Sequence, residues 1–123
     1  MKLNHDCVRA VLLYLEKNLE LNSSIYSADI KIKKFSNDDI QYSVQKLIEA
    51  GFVNFLDTRT LDHYYYSITS ISFYGHEYLD NIRDAKTWSV IKKGLSSVGS
   101  ASLSVVVDFA AKVASDLLFR SIS

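Results

Sequence analysis

Residues 36–68, SNDDIQYSVQKLIEAGFVNFLDTRTLDHYYYSI, decide the fold, because a helix signature, a glycine stop and two strand-like runs follow one another without interruption. Ser36 can cap a helix, and Asp38 and Asp39 suit the positive end of its dipole. Ile40, Val44, Leu47 and Ile48 then recur at i, i+4, i+7 and i+8, which predicts one apolar stripe. Gly51 supplies the left-handed residue that commonly closes a helix. Residues 52–56 read as a strand. Polar residues 57–60 and Leu61-Asp62-His63 read as a hairpin tip, and the aromatic run Tyr64-Tyr65-Tyr66-Ser67-Ile68 returns as the second strand. Helix, strand, polar tip and strand make the order of a wing.

Working outward, Asn4 or Asp6 can cap an earlier helix in which Val8, Val11, Leu12, Leu15 and Leu19 form one face, ending at Asn22-Ser23-Ser24. Between the two helices, Asp29-Ile30-Lys31-Ile32-Lys33 alternates isoleucine with charge, which predicts a half-buried strand with lysines on its wet side. Downstream, Ser72 caps a helix with Tyr78, Leu79 and Ile82 inward, and a further helix carries Trp88, Ile91 and Leu95 to a stop near Gly99. In the last segment Leu103, Val106, Val107, Ala110, Val113, Ala114, Leu117 and Leu118 form a continuous apolar face, while Asp108, Lys112 and Asp116 line a polar one. The expected architecture is therefore α+β and mostly helical. A winged helix-turn-helix-like core fills residues 1–85 and a C-terminal helical extension fills 86–123, in one compact domain.

Composition narrows the function classes. With 14 Lys and Arg against 14 Asp and Glu the net charge is zero, so nucleic-acid binding would have to rest on a local patch. The single cysteine, Cys7, can form no internal disulfide and sits at the start of an apolar-periodic helix, where a small buried thiol is expected. Residues 1–6 lack the apolar run of a signal peptide, and the chain reads as cytoplasmic.

Three blocks carry a resemblance to a known family: Met1-Lys2-Leu3-Asn4 with Asp6 and Arg9; Ile40-x-Tyr42 followed by Leu47-x-Glu49-Ala50-Gly51-Phe52; and residues 75–84, Gly-His-Glu-Tyr-Leu-Asp-x-Ile-Arg-Asp, with Trp88 and Lys92. The chain resembles the phage and prophage proteins grouped as domain-of-unknown-function family 2513. That family usually has Leu-Thr before the third block, where this chain has Ile71-Ser72, which keeps the apolar contact and the hydroxyl cap. The resemblance implies a winged helix-turn-helix-like core in a phage-derived gene and brings no established activity.

Catalytic signatures are incomplete. His76-Glu77-x-x-Asp80 departs from the zinc-protease pattern by placing aspartate where a second histidine is needed, so no metal site is expected and Trp88 reads as a core anchor. Four glycines occur, none in a phosphate-loop spacing, and the carboxylates pick out no acid/base pair. The chain is expected to be no enzyme and to need no cofactor. For binding, the helix beginning at Ser36 turns outward Asn37, Gln41, Ser43, Gln45 and Lys46, and the wing adds Arg59, His63 and Tyr65. Amides can read adenine, and Lys46 and Arg59 can meet phosphate. Asp38, Asp39 and Glu49 on the same helix oppose it. Two readings follow: a DNA-binding regulatory factor, or a module that binds or inhibits a host or phage protein, for instance a component of host defence. The long apolar face of residues 103–118 predicts a homo-oligomer, and the polar stripe through it argues against membrane attachment.

Overall fold

The caps marked in the sequence set the helix starts. In the computed structural model, which describes residues 1–122, α1 (His5–Asn18) begins where Asn4 Oδ1 accepts the Cys7 N–H at 3.1 Å, and α2 (Asn37–Glu49) where Ser36 Oγ accepts the Asp39 N–H at 3.1 Å. Each cap satisfies one of the donors a helix start leaves open. α1 buries Cys7, Val8, Val11, Leu12 and Leu15, and burial pushes the Cys7 thiol up from its ordinary pKa. Leu19 is not part of this helix: it turns to extended backbone and its N–H closes the end on the Leu15 carbonyl at 2.9 Å. α2 buries Ile40, Val44 and Leu47 along the predicted stripe and ends before Gly51, whose φ of 74° is the left-handed stop.

The alternating segment at residues 29–33 is not a strand. The strand of this region, β1, is Ile25–Tyr26, and a 3-10 turn at Ser27–Asp29 follows it. The Ile30 N–H bonds back to the Ser27 carbonyl (3.2 Å), and the Phe35 N–H bonds to the Ile32 carbonyl (3.1 Å). Tight turns thus take up backbone groups that a ladder would have used. Ile30 is nevertheless fully buried and Lys31, Lys33 and Lys34 are exposed, so the burial pattern is the one the alternation encodes, reached without strand pairing.

β2 (Val53–Asp57) and β3 (Tyr66–Ile71) form the hairpin, and the antiparallel sheet has the order β1-β3-β2. Ile25 faces Ile68 on one side of β3, and Val53 faces Ile71 on the other. Register slips by one residue between Asn54, which faces Ser70, and Phe55, which faces Ile68, leaving Thr69 as the extra residue. That slip lets both Ile68 and Ile71 turn inward although they lie three apart.

Three helices complete the chain: α3 (Phe73–Ile82), α4 (Ala85–Leu95) and α5 (Leu103–Ile122). Ser72 caps α3 by accepting the Gly75 N–H (3.1 Å), and Asp84 caps α4 by accepting the Thr87 N–H (2.9 Å). The α+β, mostly helical class expected from the sequence is the class observed. The chain divides into two compact units, Met1–His76 and Glu77–Ser123, the division falling within α3. The first contains α1, α2 and the sheet. In the second, α4 and α5 pack together, with the Phe109 ring against the backbone of Gly94 and with Trp88, Ile91, Val106 and Ala110 buried. Among the described residues no helix is long and apolar enough to cross a membrane.

Candidate binding groove

Ser27 assembles the site from the inside. Fully buried in the turn after β1, it accepts the Tyr66 N–H on its Oγ at 3.0 Å and the Gln41 side-chain amide on its carbonyl at 2.8 Å. One residue therefore ties the start of β3 to the outer face of α2. The space left between the two is an open groove of about 320 Å³. Asp38, Gln41, Tyr42 and Gln45 form its α2 wall; Arg59, Tyr64 and Tyr66 form its hairpin wall, and Met1 also lines it.

The two cations predicted to meet phosphate are both engaged inside the chain. Arg59 donates from Nε to Asp57 Oδ1 (3.0 Å) and from Nη2 to Oδ2 (2.8 Å), and its guanidinium carbon lies 4.9 Å from the Tyr66 ring centre. These hydrogen bonds hold the Asp57 carboxyl down at about 2 and push the guanidinium up. Lys46 pairs with Glu49 at 2.8 Å and lies 5.2 Å from the Tyr42 ring centre; the Glu49 hydrogen bond raises its pKa. Both pairs are solvent-exposed, so they contribute little to stability. What they change is the charge presented to a partner.

Other predicted residues divide between the groove and elsewhere. Gln41 and Gln45 line it, but the Gln41 amide is committed to Ser27 and to Asn37 Oδ1 (3.3 Å), while Gln45 is exposed. Ser43 does not face outward: it is fully buried with the apolar stripe of α2. His63 sits exposed at the hairpin tip, where its backbone pairs with Thr60, and Lys46 stands outside the groove lining. Tyr65 points the other way and packs edge-on against Tyr26 at 5.7 Å. The rings that reach the groove are instead those on either side of it, Tyr64, 74% exposed, and Tyr66. Asp38, Tyr42, Tyr64 and Tyr66 were not singled out as site residues from the sequence. Tyr64 and Tyr66 belong to the aromatic run read as a strand and Tyr42 to the second family-like block, but no local signal sets them beside one another.

His76 is exposed at the start of α3, and Asp80 pairs with Arg83 at 2.8 Å. Among the described residues no three of His, Cys, Asp and Glu come together as a ligand set. On α5, Val106 and Ala110 of the expected oligomer face are fully buried in the single chain, whereas Leu103, Val107, Val113 and Ala114 are half-buried and Leu117 and Leu118 exposed. Val106 and Ala110 therefore have no surface to offer a second subunit.

Residues 2–102 match the family described as hypothetical protein DUF2513. An uncharacterized protein of Haemophilus influenzae is 27% identical over 123 residues, covering the whole of both chains. No solved structure matches the chain.

Proposed function

This chain belongs to the DUF2513 family, and we propose that it is a small, phage-derived, cytoplasmic winged-helix-like protein that binds another protein through the groove between α2 and the hairpin, without catalysis. The observation that carries this reading is the neutralisation of Lys46 and Arg59 by Glu49 and Asp57 beside a tyrosine-lined groove. Phosphate binding needs cations that are free to displace counterions. Protein interfaces favour aromatic rings in a desolvated centre. Residues 1–76 carry eight Lys and Arg against nine Asp and Glu, so the unit holding the groove has no net attraction for DNA.

DNA binding remains a second reading on one observation: Lys31, Lys33 and Lys34 are all exposed in the connection leading into α2. One experiment separates the two. A photo-crosslinking residue replaces His63, exposed beside the groove, in host cells, with replacement of Lys17 on α1 as the control, and salt-dependent anisotropy is measured on a random duplex. The protein-binding reading expects a discrete protein adduct at position 63, absent at position 17, and no duplex binding at low salt. Duplex binding with a steep salt slope, abolished by Lys31→Glu, Lys33→Glu and Lys34→Glu together, would establish DNA as the partner instead.

A further inference from the structure

The groove contains one half of an interaction whose other half its neighbour already displays. Arg59 lies over the Tyr66 ring while its guanidinium donates twice to Asp57, so a tyrosine face and a carboxylate share one cation. Lys46 does the same with Tyr42 and Glu49. Two further groove groups are left without a cation: Asp38, exposed and in no ion pair among the described residues, and the Tyr64 ring, 74% exposed. A tyrosine face attracts a cation through its quadrupole, and a carboxylate accepts a guanidinium in two parallel hydrogen bonds.

We infer that the groove between α2 and the hairpin recognises an arginine side chain of a partner polypeptide, its guanidinium taken by Asp38 and the Tyr64 ring. This rests on the protein-binding reading above and specifies the partner's chemistry. Arginine suits the site better than lysine, because a planar guanidinium stacks on a ring and pairs with a carboxylate at once. At about 320 Å³ the groove is at the small end of ligand sites, enough for one or two side chains. Gln45, exposed on the same wall, supplies a neutral amide for the adjoining peptide backbone.

The test uses the full chain and a defined probe, the blocked tripeptide acetyl-Gly-Arg-Gly-amide, titrated while backbone amide resonances are followed. Saturable shifts confined to residues 38–45 and 64–66 are expected. The citrulline version of the tripeptide, equal in shape but uncharged, should bind at least tenfold more weakly, and Asp38→Asn should weaken the arginine peptide about tenfold. Asp116→Asn, at an exposed carboxylate on α5, should leave it unchanged. Shifts spread over many carboxylates, or equal binding by the Asp38→Asn variant, would overturn the inference. If Asp38→Asn leaves the protein adduct at position 63 undiminished, arginine recognition fails while partner binding stands. If no adduct forms at all, the broader reading fails.

Discussion

Ser72 and Gly75 fix how α3 begins beside the end of α2. Ser72 accepts the Gly75 N–H and donates its hydroxyl proton to the Gly51 carbonyl at 2.6 Å, so it caps α3 and fastens the end of α2 at once. Gly75 follows for a steric reason: a Cβ there would run into the Phe52 carbonyl oxygen and lie 2.8 Å from Ile71 Cγ2. Neither neighbour can give way, because that carbonyl accepts the Ser72 N–H at 3.0 Å and Ile71 is buried. Gly75→Ala should therefore destabilise the protein by about 1–3 kcal/mol despite its better helix propensity, read as a lower urea midpoint. A midpoint equal to or above wild type would show that α3 can shift to make room.

Charge at single residues leads to a second expectation. Asp57 titrates at about 2 instead of 3.8 because Arg59 hydrogen-bonds its carboxylate. A folded value below the ordinary one means that the pair favours the folded state at neutral pH, and that this contribution fades as pH falls from 3.8 through about 2. Following the Asp57 carboxyl carbon against pH should give that low midpoint, and Arg59→Ala should raise it only part of the way, because the backbone N–H of residue 59 still donates to Asp57 Oδ1. A midpoint unmoved by Arg59→Ala would mean that the ion pair does not persist in solution.

At the scale of elements, legibility followed the range of the interactions. Helices α1, α2 and α3 were readable because their caps, Asn4, Ser36 and Ser72, act within three residues of themselves. Strands depend on distant partners and were less legible. The isoleucine–lysine alternation correctly encoded which side is wet, yet the paired residues are Ile25–Tyr26, chosen by their register with Ser67 and Ile68. The extra residue Thr69 is equally invisible, since only the opposing strand defines it. Of the site, the α2 amides and Arg59 were legible, but Ser27, which sets the width of the groove, had no local signature. Ser27→Ala would leave the Tyr66 N–H without its acceptor, at a cost of about 1–3 kcal/mol. Faster hydrogen exchange at Tyr66, with the α1 amides unchanged, is the expected sign. Protection equal to wild type would mean that Ser27 does not hold the hairpin against α2.

At the scale of the whole molecule, the open question is what covers the end of α5. That helix is 20 residues long, whereas α4 has 11, and they pack along only the first part of α5. Val106 and Ala110 are consequently buried, while Leu117, Leu118, Phe119 and Ile122 are exposed, with Leu118 at 65% and Ile122 at 77%. Exposed apolar side chains grouped on one stretch of helix favour association. A symmetric pairing of two copies along this last stretch would cover it with the same residues from both sides. The face that would pair is thus shorter than the sequence pattern implies, running from about Val113 onward. Val106→Asp and Ala110→Asp would put unpaired charge into a single chain's own interior and should unfold the second unit. Leu118→Asp with Ile122→Asp should leave helix content unchanged and convert a sedimenting dimer to a monomer. If wild type already sediments as a monomer at micromolar concentration, association through α5 is refuted.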